Sequence, residues 1–185
     1  LSYVHLSAAS LANIMFYILT ILGMGITFAI SPLVAEANGA NNHRKVGDYL
    51  KQGLWVSIFA SVVLGAAVYF SAWVIPFMDQ PEKEVDLAVS YTKILSYSVL
   101  PMMVFLIAKQ FTDGLSLTRP AMFITLIGLG FNTFANLILI FGHFGVPRLE
   151  LDGAGYGTLA SRNLMAIHLM GYVFWHKRFK IYEVT

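Results

Sequence analysis

Two side-chain amides, a hydroxyl and a guanidinium lie within otherwise apolar stretches of this 185-residue chain: Asn132, Asn136, Thr158 and Arg162. Gly128, Asn132 and Asn136 recur at every fourth position and so share one stripe of a helix. An amide that leaves water for hydrocarbon without compensation costs several kcal/mol in the worst case, so it must find partners, and two on one face imply a polar interior. Such groups can hydrogen-bond a ligand or offer oxygen to an ion. Covalent chemistry is out of their reach. The chain has no Cys, which excludes disulfides, thiolate metal sites and cysteine nucleophiles. His5, His43, His143 and His176 fall near the ends of the apolar stretches and His168 stands alone, so none has metal-ligand spacing with carboxylates. An enzyme needs an acid, His or nucleophile cluster at common depth. None can be assembled here, and the chain reads as a non-enzyme.

The elements that hold these groups are membrane spans. No Asp, Glu, Lys or Arg occurs between Leu6 and Ala35, between Gly53 and Met78, or between Pro120 and Pro147. A helix rises about 1.5 Å per residue and the hydrocarbon core is roughly 30 Å thick, so about 20 apolar residues cross it. Two further runs, Tyr91 to Thr112 and Gly153 to Trp175, carry charges but are long enough. Composition agrees, with 57% hydrophobic residues, 12% charged residues and a mean hydropathy of +0.69. The expected fold is an all-α integral membrane bundle of five transmembrane helices near 6–34, 53–78, 91–112, 120–142 and 153–175. A polar tail, 176–185, follows. The lipid bilayer is the principal partner, and a net charge of +2 is too small to suggest nucleic acid. The chain begins at Leu1 with neither Met nor a signal-peptide pattern, and is expected to be a piece of a longer protein.

Basic residues near the span ends set the orientation. With five spans, the loop after the first, the loop after the third and the tail share one side, which collects Arg44, Lys45, Lys51, Lys109, Arg119, Lys177, Arg178 and Lys180. The other side has Lys83, Lys93 and Arg148 with the acids Asp79, Glu82, Glu84, Asp86, Glu150 and Asp152. The N-terminus is therefore expected outside and the C-terminus in the cytoplasm, across a plasma (inner) membrane. Within the inner loop, Asn38 and Gly39 read as a helix stop. Val46, Tyr49 and Leu50 against Arg44, Lys45 and Lys51 then read either as a short basic amphipathic helix on the inner surface or as a solvated connector. Pro101 frees a carbonyl and is expected to kink the third span.

Depth brings two spans together. Thr158 lies about 7 Å below the start of the fifth span and Asn136 about 9 Å from the end of the fourth, so the two are expected to meet and face a common cavity. Arg162, one turn further in, costs about 2.5 to 3.5 kcal/mol at mid-membrane; it snorkels, bonds to neighbouring helices, or serves a polar cavity or gate. Gly153, Gly157 and Ser161 form a small-xxx-small row on the adjacent face, a common packing pattern. Glu36, at the inner mouth of the first span, either lines a passage or marks the helix end. Lys109 and Asp113 are spaced for a local ion pair.

Four stretches, in order, resemble the MATE family, the multidrug and toxic compound extrusion transporters. Ser31-Pro32-Leu33-Val34-Ala35-Glu36-Ala37-Asn38-Gly39-Ala40 is similar to the end of that family's second helix, and Asp113-Gly114-Leu115-Ser116-Leu117-Thr118-Arg119-Pro120 to the loop before its fifth. Phe131-Asn132-Thr133-Phe134-Ala135-Asn136-Leu137-Ile138-Leu139-Ile140-Phe141-Gly142 is similar to the fifth helix, and Gly153-Ala154-Gly155-Tyr156-Gly157-Thr158-Leu159-Ala160-Ser161-Arg162 to the start of the sixth.

The resemblance implies helices two to six of a twelve-helix transporter. The missing remainder would be helix one and the second six-helix bundle, and residues 176–185 would begin the cytoplasmic linker. It further implies alternating access, with amphipathic, often cationic compounds expelled against inward Na⁺ or H⁺. No cofactor is implied beyond the coupling ion. In the family's first bundle that ion's site joins an acid on helix one to polar groups on helices five and six, and Asn132, Asn136 and Thr158 fall at the matching places. Na⁺ at Asn132 and Asn136 is the one metal ion this allows. No Asp or Glu of this chain lies at mid-depth, and some family members have an acid where Asn136 stands, so coupling resides either here or in the second bundle. The alternative within the superfamily is a lipid-linked oligosaccharide flippase, which would need several cavity cations where only Arg162 is a candidate.

Overall fold

The computed structural model describes residues 3–78, 81–145 and 147–183; Asp79, expected among the outer acids, lies outside them. Helices α1 (Tyr3–Phe28) and α2 (Ile30–Gly39) form one apolar rod interrupted at Ala29. The rod runs past the expected end at Val34 and stops at Gly39, where Asn38 and Gly39 signalled a stop. After a tight turn, the side chain of Asn42 accepts the Lys45 N–H at 3.1 Å and starts α3 (His43–Ser71). The separate amphipathic helix expected on the inner surface does not form. Val46 and Leu50 are fully buried against Phe111 and Phe179, so their apolar face packs into the bundle and the helix continues unbroken into the span. It ends at Ser71, short of the expected Met78, and Pro76 lies in a 3₁₀ turn at Ile75–Phe77.

The third span is two helices, α4 (Glu82–Tyr97) and α5 (Val99–Gly114), bent by 44°. The bend sits at Ser98 rather than at Pro101. Proline lacks the N–H that would reach the carbonyl four residues earlier and its ring crowds that carbonyl, so the disruption falls one turn upstream, at Tyr97. Helix α6 (Thr118–Phe141) closes on Gly142, whose φ of 73° is strained for any residue with a side chain and whose N–H bonds Ile138 O at 2.9 Å. Helix α7 (Glu150–Trp175) leads into a 3₁₀ turn at Lys177–Tyr182. No strand occurs among the described residues.

Packing centres on α5. Helices α1, α2, α3 and α7 all lie against it, and Met103, Ile107, Ala108 and Phe111 are enclosed. Helix α6 stands at the margin, packed on α7 and only lightly on α5; its buried residues are Ala121, Gly128 and Ile140. Phe123, Leu126 and Ile127 of α6 and Trp55, Phe59 and Val62 of α3 face outward, an apolar surface that water does not tolerate and lipid does. The α1–α2 rod, α3 and α6 are each long and apolar enough to cross a membrane, as is the bent α4–α5 pair taken together. Helix α7 is about 39 Å long but carries Arg162, Asn163 and His168. The chain is an all-α integral membrane protein.

Polar contacts tie the two ends. At the acidic end Ser7 donates to Glu84 at 2.5 Å, Ser90 donates to Asp152 at 2.9 Å, and His5 meets Glu150 at 2.8 Å, linking α1, α4 and α7 pairwise. At the basic end the 3₁₀ turn folds back. Phe179 is fully buried beside Phe111 and Tyr172, and Tyr182 Oη donates to Asn38 Oδ1 at 3.1 Å.

Candidate functional site

Helices α6 and α7 mesh in an antiparallel register that repeats every fourth residue on both. Gly128 faces Met165, Asn132 faces Ser161, Asn136 faces Gly157, and the Leu139–Ile140 peptide faces Gly153. Rows of i±4 residues form the ridges of a helix surface, and small residues in the facing row let backbones approach. A methyl group on Gly153 would stand 2.7 Å from the Leu139 carbonyl, so the close approach there requires glycine. The row expected only to pack is thus the partner of the amide stripe.

Hydrogen bonds run through this seam in one direction. Asn136 Nδ2 donates to Asn132 Oδ1 at 3.2 Å, Asn132 Nδ2 donates to Ser161 Oγ at 3.3 Å, and Ser161 Oγ donates to the Thr158 carbonyl at 3.0 Å. The chain begins at an open group. Asn136 Oδ1 is buried against the Cα of Gly157, where any Cβ would overlap it, and has no hydrogen-bond partner among the described residues. A buried acceptor left without a donor costs about 1–3 kcal/mol, a cost the Asn136 oxygen bears where it packs against the Gly157 backbone.

The remaining predicted residues are placed apart. Thr158 adjoins Gly157, but its hydroxyl donates to its own helix at Ala154 O, 2.9 Å away, and it meets the amide chain only through its carbonyl. Depth matched to within one residue, yet one residue turns the side-chain direction by about 100°, so Gly157 and not Thr158 stands opposite Asn136. Arg162 points to the other side of α7, where Nη1 donates to Ser98 Oγ at 2.5 Å and the guanidinium lies 4.8 Å from the centre of the Phe16 ring. Glu36 is exposed near the end of α2, and its carbonyl accepts the Ala40 N–H at 3.0 Å. The Lys45 ammonium is held above its usual range first by its hydrogen bond with Tyr49 and least by the charge of Glu36. Lys109 and Asp113 pair at 2.6 Å. Gly157 and Ser161 read in the sequence only as part of a packing row, and Ser98 and Phe16 carry no signal there. Only the matching four-residue periods of the Asn stripe and the Gly-Gly-Ser row could have identified the first two.

A sequence profile of the MatE family matches residues 1–138, a stretch that includes Asn132 and Asn136. The multidrug resistance protein NorM of Vibrio cholerae is 33% identical over 185 aligned residues, covering 98% of this chain and 40% of that protein. A probable multidrug resistance protein NorM of Synechocystis is 30% identical over 97% of this chain and 39% of its own length. The crystal structure of the eukaryotic MATE transporter AtDTX14 superposes with a TM-score of 0.88 at 19% identity, over 100% of this chain and 40% of that one. An inward-facing multidrug resistance MATE family transporter of the MOP superfamily gives a TM-score of 0.78 at 19% identity, over 98% of this chain and 42% of that one. The chain therefore spans about 40% of the length of the curated relatives it matches. With the profile match over most of its length and the same arrangement of helices, the chain belongs to the MatE family.

Proposed function

We propose that this chain forms part of an ion-coupled exporter, which passes amphipathic, often cationic compounds out of the cell in exchange for inward Na⁺ or H⁺ by alternating access. The basic end lies in the cytoplasm and the acidic end outside a plasma (inner) membrane. The names of the NorM relatives, multidrug resistance proteins, support the export of drugs. One observation carries the assignment of the site: an amide chain buried in an apolar seam with the Asn136 oxygen left open. Na⁺ favours hard oxygen ligands, and Asn136 Oδ1 supplies one without charge. Asn132 orients that amide by accepting its Nδ2–H, and Ser161 orients Asn132 in turn. The charge that trades with the ion comes from an acid elsewhere in the transporter, apposed to Asn136.

Vesicles containing the full-length transporter, with Na⁺ and pH gradients imposed separately, test this reading through efflux of a cationic dye. Asn136→Leu is expected to lower the ion-driven rate at least tenfold, and an unchanged rate refutes it. The flippase reading gains nothing from the structure, because Arg162, the one candidate cation, is held by Ser98 and Phe16.

A further inference from the structure

Arg162 is the costliest side chain of the bundle to place in a membrane. Among the described residues no Asp or Glu pairs with it. Its compensation comes from a broken helix. Ser98 Oγ, which accepts from Arg162, donates to Leu95 O at 2.7 Å, and the Ser98 N–H donates to the same carbonyl at 2.9 Å. Leu95 lies in the last turn of α4, and its carbonyl takes both donors of Ser98, so the partial negative charge of that helix end reaches Arg162 through the serine hydroxyl. The Phe16 ring supplies a second electron-rich surface to the guanidinium. Ser98 and Phe16 are both enclosed, so the cation is gripped from two helices. That grip falls on Ser98, the residue where α4 stops and α5 begins.

The neighbouring residue points about 100° away around α7, toward α6. Ser161 accepts the Asn132 amide at 3.3 Å, so a single step of α7 holds the end of the amide chain on one side and the α4–α5 bend on the other. The geometry points to Arg162 as a positioning residue that fixes the α4–α5 bend and ties it, through the 161–162 step of α7, to occupancy of the amide site on α6. This inference rests on the transport function proposed above.

Spin labels at Lys83 and Ser116, both exposed and at opposite ends of the bent pair, report its span in the full-length transporter by pulsed dipolar EPR. Each arm is a 16-residue helix about 24 Å long, so full straightening from 44° lengthens the span by about 3 to 4 Å. Arg162→Gln is expected to broaden the distance distribution and lengthen its mean by about 1 to 2 Å, since Pro101 still forbids a straight helix. Ser98→Ala, which deletes one atom and stands in if the first variant misfolds, should shift it the same way, and the double variant no further. Arg162→Lys keeps the charge without the planar fork and should fall between. In the unsubstituted transporter, whichever ion drives efflux should shift the distance; in Arg162→Gln that response should vanish. Distributions of Arg162→Gln and Ser98→Ala that superimpose on the unsubstituted one, or an ion response that is absent from the unsubstituted transporter or survives in Arg162→Gln, overturn the inference. The site assignment fails separately, on ion-driven efflux persisting in Asn136→Leu.

Discussion

Gly157→Ala tests the seam at its tightest point. The added methyl would overlap Asn136 Oδ1 and lie 3.2 Å from its Cγ, so the Asn136 amide must swing away. That movement forfeits the bond to Asn132 within α6, worth about 0.2–0.5 kcal/mol for an i, i+4 side-chain pair. Forcing the side chain off its rotamer adds about 0.5–1.5 kcal/mol. Against this stands a gain of up to about 1 kcal/mol from replacing a helical glycine by alanine. The sum runs from near zero to about 1 kcal/mol of destabilisation. Gly130→Ala, also in a helix but with nothing within 4 Å of its added methyl, keeps the gain without the loss. The two variants should therefore differ by about 1–2 kcal/mol, read by denaturing-detergent titration of the full-length protein. In dye efflux, Gly157→Ala should also lose most ion-driven transport while Gly130→Ala retains it. Equal stability together with equal ion-driven efflux in the two variants would refute the reasoning.

Ser161→Ala removes the acceptor of the Asn132 amide and should lower stability by about 0.6 to 1.7 kcal/mol in the same titration, with a reduced ion-driven efflux rate. Phe179→Ala empties a fully buried site beside Phe111 and Tyr172, at a local cost of about 3–5 kcal/mol, and should speed tryptic cleavage at Lys177, Arg178 and Lys180. At the acidic end the hydrogen bond from His5, ahead of its charge and that of Arg148, holds the Glu150 carboxyl below its usual value of 4.5. The resulting stabilisation is complete above the unfolded value and is lost as pH falls through the lower folded one. Glu150→Gln should accordingly melt lower than the unsubstituted protein at neutral pH and flatten the decline below pH 4.5. Parallel melting curves across that range would contradict the assignment.

The three long apolar helices, the Tyr3–Gly39 rod, α3 and α6, were legible because charge-free runs and a bilayer of fixed thickness leave few choices, and the Asn38-Gly39 stop and the Asn132-Asn136 stripe follow from local chemistry. Azimuth was less so. A depth count places Thr158 and Asn136 at one level but cannot tell Thr158 from Gly157, which point about 100° apart. The basic helix expected on the membrane surface became the first turns of α3 because its apolar side, Val46 and Leu50, found Phe111 and Phe179. Both partners are distant in sequence. Proline announced a kink, but the hydrogen bond it breaks belongs to Tyr97, so the bend appeared a turn earlier. Arg162 declared itself by cost alone; its partner, the Ser98 hydroxyl at the bend, lies 64 residues away and carries no signature of its own.

The docked 3₁₀ turn after α7 gives the bundle a handle. Tyr182 Oη is pinned to Asn38 of α2, the Tyr182 carbonyl presses on Gly47 of α3, and the Tyr182 and Phe179 rings lie against Phe111 of α5. A tug on the chain beyond Glu183 is therefore shared at once among three helices instead of peeling one. A load on this turn is carried by α2, α3 and α5 together, with Phe179 as its buried anchor.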